Sequence, residues 1–222
     1  MRLIDVHARL LNLNVPAFQT SDAAAVLAIN NAHASKLLAR LAASGHLTKL
    51  GRGRWGFKDL IDPLSLPEYL TAPFPSYVSL QSALYRHGMI SQIPSVLYAV
   101  SPARTRTYRT ALGTVSVHHI DPSFFFGFRA AGKGNAKIAT PEKALIDFLY
   151  LGPAHTRLFR ALPELELGRE FKVAEARKII RRIRAIRRRN HVSRLFEDLW
   201  KIRASKSRKG ERGALPPAAR PV

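Results

Sequence analysis

His118 and His119 are the one adjacent pair of imidazoles in the sequence, and Glu142 and Asp147 lie five residues apart in an apolar stretch. Acid–base or metal chemistry would have to be built from these side chains. The spacing argues against it. His118 and His119 sit in an alternating, strand-like segment, so they point to opposite faces and make a poor chelate. No further His or carboxylate is spaced to complete a zinc set. Glu142 and Asp147 fall on different faces of one expected helix and read as helix-end and surface charges. The stretch "AAGKGNAK" holds Gly132, Lys133 and Gly134 but lacks P-loop spacing, so it reads as a loop. There is no Walker motif, no G-x-S-x-G and no Gly-rich loop after a strand. The absence of cysteine removes thiol catalysis, disulfides and zinc–cysteine sites. The expectation is a protein that is not an enzyme, with no catalytic residues, no metal and no cofactor. Only a nuclease built on scattered carboxylates escapes this reading.

The other chemistry available is recognition of anions. The 222 residues carry 36 Lys+Arg against 15 Asp+Glu, a formal net charge of +21. Such an excess speaks of partners rather than of fold, and nucleic acid is the first choice ahead of an anionic membrane surface. The charge is uneven: net +6 over residues 1–58, +2 over 59–168 and +13 over 169–222. The two ends are therefore where an anion is expected. No apolar run approaches the ~18 residues of a membrane span. The N-terminal stretch places Asp5, His7 and Arg9 where a signal peptide needs an apolar core. A soluble, cytoplasmic protein without a membrane partner is expected.

Elements must position these cations. "RLIDVHARLLNL" has helical spacing. "TSDAAAVLAI" opens on Thr20 or Ser21 as N-cap, with Asp22 in the first turn. "NNAHASKLLARLAASG" is capped by Asn30, carries an apolar stripe at Leu37, Leu38 and Leu41, and stops at Gly45. "HLTKL" and "RWGF" then alternate as two strands around a Gly51-Arg52-Gly53 turn. Three helices followed by a basic hairpin predict a winged helix-turn-helix over residues 1–58. In that fold the third helix enters the major groove. Asn31, His33, Ser35 and Lys36 are the candidates for base edges, with Arg40 further along. Lys49, Arg52 and Arg54 are candidates for phosphate or minor-groove contact. Trp55 and Phe57 read as core at the base of the hairpin. The competing reading is a protein-interaction module with a solvated basic face.

Residues 59–75 hold four prolines with little periodicity and read as a linker packed on a surface. Beyond it a helix is predicted near 79–87, a strand at Val96–Val100, and a hairpin of Thr107–Ala111 with Thr114–Ile120. Short strands are expected in "FFFGFRAA" and "AKIAT". A helix in "TPEKALIDFLYLG" is capped by Thr140, with Pro141 at its first position. Four pieces in this order, "LLARLAASGHLTKLGRGRWGF", "YVSLQSALYRHGMI", "GTVSVHHI…GF" and "IATPEKALIDFLY", resemble the AbiEi family, the antitoxins of type IV toxin–antitoxin (abortive infection) systems. The resemblance spans roughly residues 1–151. It implies an N-terminal winged helix that binds operator DNA with repeated half-sites and represses its own operon. It also implies a C-terminal domain that opposes a nucleotidyltransferase-like toxin without a stable complex. The chain departs from that pattern in a short C-terminal part rich in arginine, which leaves a stand-alone regulator as an alternative.

That part begins with "VAEARKIIRRIRAIRRR", 173–189, predicted as one amphipathic helix. Its apolar stripe is Val173, Ala176, Ile180, Ile183 and Ile186. Arg177, Arg181, Arg184 and Arg188 form a rail on another face. Three readings are open for the rail: a solvated face of a packed helix, a phosphate-tracking surface at Arg181, Arg184 and Arg188, or membrane attachment; the second is preferred. A second stripe follows at Val192, Leu195, Phe196 and Leu199. The stretch 204–222 is small, basic and Pro-rich and reads as a disordered tail. The expected class is α+β: a winged helix-turn-helix, the linker, then a mixed α/β domain over 76–203 with a small sheet and basic C-terminal helices. The expected function is a sequence-specific DNA-binding repressor. The alternative is an antitoxin or RNA-binding protein acting mainly on a toxin or its RNA substrate.

Overall fold

In the computed structural model, which describes residues 2–132, 135–152, 165–168 and 170–212 (backbone alone for 202–212), the chain is a mixed α+β protein with two sheets. The N-terminal unit contains α1 (Leu3–Leu11), β1 (Ala17–Gln19), α2 (Thr20–Leu27), α3 (Asn31–Ala43), β2 (Thr48–Gly51) and β3 (Arg54–Gly56). Its strands form an antiparallel sheet in the order β1-β3-β2. The helices bury Val6, Leu10, Leu27, Leu37, Leu38 and Leu41 against Phe18 and Trp55 of the strands and Phe57 just after β3. Strand β1 was not expected; three residues are too few to show a period.

The helix ends have local causes. Asn30 Oδ1 accepts from the His33 amide at 2.8 Å and so caps α3. Gly45, at φ +83°, carries the chain away from the end of α3 in a conformation costly for other residues. The cap of α2 differs from expectation. Gln19 is the N-cap residue, and its amide donates to Asp22 Oδ2 at 2.8 Å. The Thr20 hydroxyl is committed elsewhere, accepting from Trp55 Nε1 at 3.0 Å.

The stretch expected to be a linker is an ordered bridge. A 3-10 turn (Pro63–Ser65) leads into α4 (Leu66–Thr71), and the prolines are tolerated because they fall at first-turn positions. Ile61, Leu66 and Leu70 form a core with Leu50 of β2 and with Val115 and Val117 of the second sheet. The two units therefore share buried apolar surface.

The second unit is built on a six-stranded mixed sheet, ordered β6-β7-β5-β4-β9-β8. Its strands are β4 (Tyr77–Val78), β5 (Leu97–Ser101), β6 (Arg106–Thr110), β7 (Gly113–His119), β8 (Phe128–Ala130) and β9 (Lys137–Ala139). Strands β5/β7 and β4/β9 are parallel, and the β6/β7, β4/β5 and β8/β9 pairs are antiparallel. Helix α5 (Leu80–Arg86) and helix α6 (Pro141–Leu151) pack together beside the sheet. Helices α7 (Val173–Arg181) and α8 (Ile186–Arg212) then cover α6. Every residue of α6 from Glu142 to Tyr150 is buried, because the helix is enclosed on all sides.

That enclosure corrects the reading of two carboxylates as surface charges. Glu142 is buried and its Oε1 accepts from the Lys172 amide at 2.9 Å. Asp147 is fully buried, ion-paired to Lys143 one turn earlier. Asp147 Oδ2 accepts from Tyr77 Oη at 2.9 Å and Ser79 Oγ at 2.8 Å, and Lys143 Nζ donates to Tyr77 Oη at 2.9 Å. Lys143 Nζ also lies 4.1 Å from the centroid of Phe124. Burial pushes the Asp147 carboxyl above the usual carboxylate range and the Lys143 ammonium below the usual amine range. Gly127, at φ +76°, lets the aromatic loop close on this pair, since a Cβ there would meet the Lys143 stem at 3.0–3.2 Å.

The basic C-terminal stretch is also not one helix. It breaks at Arg182–Ala185. A straight helix would carry Val192 and Phe196 away from α6. The break lets both apolar stripes, Ala176/Ile179/Ile180 and Val192/Phe196, enter the same core, with buried Ile183 in the turn. Arg177 closes the pair through two bonds to Glu197, at 2.9 and 3.0 Å. Ile186, expected in the stripe, is 64% exposed. Helix α8 continues to Arg212, through the first part of the stretch expected to be an irregular tail; residues 213–222 lie outside the described ones.

Candidate nucleic-acid interface

Helix α3 divides cleanly by exposure. Ala34, Leu37, Leu38 and Leu41 are buried, and Asn31, His33, Ser35, Lys36 and Arg40 are all exposed. Ala32, Ala39 and Ala43 lie among them on the open side. Small residues between polar ones let a helix backbone approach a partner closely. The helix thus carries amide, imidazole, hydroxyl, ammonium and guanidinium groups on one accessible surface, a set able to donate to base edges and phosphates.

The hairpin beside it holds the remaining candidates in unequal states. Lys49 is exposed, with Nζ 5.7 Å from the Trp55 ring centroid. Arg52 is exposed at the tip, next to Gly53 at φ +68°. Arg54 is committed internally. Its Nη1 donates to the Leu70 carbonyl at 2.5 Å and its Nη2 to the Ala72 carbonyl at 2.6 Å. These carbonyls at the end of α4 have no partner within that helix, so Arg54 works as its C-terminal cap. Trp55 and Phe57 are buried, as expected for the hairpin base.

The C-terminal candidates do not form a rail on one helix, because the stretch that carries them breaks between α7 and α8. Arg181 is exposed in the last turn of α7. Arg184 lies in the break between helices, where its charge helps to keep the Asp121 carboxyl below its ordinary value, behind two hydrogen bonds from Ser123. Arg188 sits 4.7 Å from the Tyr150 ring centroid, and Arg182 sits 3.4 Å from that of Phe126. Together with Lys143 on Phe124, three cations rest on neighbouring aromatics of the same domain. Sequence reading missed this use of "FFFGF"; the signal was an aromatic run in a chain with surplus arginine.

No protein-family model matches this sequence, and no curated protein is significantly similar to it. Among the described residues, no group of three or more His, Asp or Glu gathers where it could hold a metal. None of the helices among the described residues is long and apolar enough to cross a membrane. His119 Nδ1 is 3.1 Å from the carbonyls of Pro102 and Ala103, and His118 Nε2 is 3.1 Å from Ser116 Oγ.

Burial lowers the pKa of His118 from its ordinary 6.5. The native state then binds fewer protons there than the unfolded chain does. Its stabilising effect is complete above pH 6.5 and is lost as pH falls through the lowered native value. The melting temperature is expected to drop between pH 7.5 and 5, and His118→Gln to make that drop shallower. An unchanged pH profile in the variant would remove His118 as a cause.

Proposed function

We propose that the protein is a sequence-specific DNA-binding transcriptional repressor and that residues 1–58 are a winged helix-turn-helix. The observation that carries this reading is the exposed face of α3, with Asn31, Ser35, Lys36 and Arg40 spaced by alanines. The neighbouring hairpin adds Lys49 and Arg52, and the whole chain carries +21. In this reading α3 lies in the major groove and reads base edges, while the hairpin fixes register on phosphates. Repression follows from occupying promoter DNA. The resemblance to the AbiEi antitoxins adds the rest of the proposal: a cytoplasmic, autoregulating member of a type IV operon, binding repeated half-sites and opposing a nucleotidyltransferase-like toxin without a stable complex.

The test is a nuclease footprint on DNA upstream of the protein's own coding sequence, at 50 and 200 mM salt, beside an unrelated fragment. A discrete protected repeat that persists at the higher salt is expected. Equal coating of both fragments that disappears at 200 mM would overturn the repressor reading and direct attention to RNA or a protein partner.

A further inference from the structure

The segment 59–168 is electrically ordinary on average, at net +2, but that average hides a basic hairpin. Residues 44–58 and 102–119 are the two hairpins β2–β3 and β6–β7 with their flanks. Together they hold seven Lys and Arg and no Asp or Glu. The structure brings them side by side. Strand β2 lies against β6, and Leu50 of β2 shares a core with Tyr108 of β6 and Val115 and Val117 of β7.

Among the described residues strand β6 is the terminal strand of its sheet, bonded to β7 alone. Arg104, Arg106 and Arg109 are all exposed on it or just before it. Among the described residues none of the three is within ion-pair distance of a carboxylate. Their register spreads them around the edge. Arg106 is opposite Val117 and shares the face of Tyr108, with its guanidinium carbon 5.1 Å from that ring. Arg109 is opposite Thr114 and takes the other face. From Arg104 to Arg109 an extended strand covers ~17 Å. Measured along the duplex axis, that is about five base-pair steps. Like-signed guanidinium groups along one edge concentrate positive potential there, and their bidentate geometry suits phosphate.

We infer that the β6 edge, through Arg104, Arg106 and Arg109, is a second phosphate-binding strip that continues the surface of the β2–β3 hairpin onto the DNA flanking the sequence read by α3. The inference rests on the DNA-binding reading above and extends it to a part of the chain outside the winged helix. The strip reads no bases. It lengthens the bound duplex on the hairpin side and raises affinity for all sequences alike.

The experiment compares the full-length protein with Arg104→Gln/Arg106→Gln/Arg109→Gln and with the charge-keeping triple lysine variant. The probe is a labelled duplex from upstream of its own gene, with flanks trimmed stepwise, titrated from 50 to 200 mM salt. Far-ultraviolet circular dichroism and melting check that the exposed substitutions leave the fold intact. The glutamine variant is expected to show a log–log salt slope shallower by about 2 to 3, since each lost phosphate contact removes about 0.9. It should also be indifferent to trimming that weakens the wild type, while the lysine variant keeps most of the slope. A folded glutamine variant with wild-type slope and wild-type flank dependence overturns this strip and leaves the α3 reading standing. A wild-type protein that binds no duplex, or prefers a structured RNA, overturns both.

Discussion

Replacing Asp147 with alanine is expected to lower the melting temperature on the order of 10 °C. Removing one partner of a buried pair strands the other charge, at a cost of about 3–5 kcal/mol. In a protein of this size each kcal/mol shifts melting by about 2–4 °C. Three features make the position severe. Lys143 and Asp147 are both fully buried. Tyr77 and Ser79 donate to the same carboxylate, so two hydroxyls lose their acceptor as well. The backbone at Gly127 rests on the Lys143 stem, so the lysine cannot withdraw to water without moving that loop. The double variant Lys143→Met/Asp147→Leu should recover only part of the loss: it removes the uncompensated charge along with its partner, but the buried Tyr77 and Ser79 hydroxyls still lack an acceptor. Calorimetry on the three proteins checks this. A single variant melting within about 2 °C of wild type would mean that the pair is not sealed from solvent as described.

Changing Asn31, His33 and Lys36 together to alanine is expected to reduce discrimination between the protected sequence and a scrambled one by 100-fold or more. Each correctly paired base contact is worth about 1–3 kcal/mol of discrimination. All three side chains are exposed on α3, and none contributes to its apolar core, so the helix itself should persist. Asn30 is left in place because it caps the helix. Arg52→Ala is the contrast: affinity should fall by a similar factor on both sequences, with a salt slope lower by about 1. Competition binding separates the two. If the triple variant loses affinity equally for both duplexes, α3 contacts phosphates rather than bases.

What the sequence made legible followed from local chemistry. Asn30 and Gly45 marked the ends of α3, Thr140-Pro141 marked the start of α6, and the Gly-Arg-Gly turn marked the hairpin. Those signals act within a few residues. The departures depended on contacts distant in the chain. Arg54 looked like another free cation of the hairpin until the end of α4 supplied two carbonyls. Glu142 and Asp147 read as helix-end and surface charges, yet both are buried. The warning was that Ala144, Leu145, Ile146, Phe148, Leu149 and Tyr150 leave the helix no polar side to expose. The run 173–189 had a valid helical stripe, yet the turn at 182–185 brings the residues on both sides of it into one core with α6. Of the arginines in that run, Arg182 and Arg188 stack on aromatics, which no spacing rule reveals.

Leu50 and Arg54 tie the hairpin of the N-terminal unit to the bridge and the sheet behind it. The consequence is a matter of effective concentration. Two anion-binding surfaces on a flexible tether must search for each other's position on a ligand, and each engagement costs separate ordering entropy. If the proposed DNA-binding reading holds, the first contact here places the second without a search. Binding should therefore behave as a chelate, with a geometry set in advance and a slow off-rate governed by simultaneous release of both surfaces.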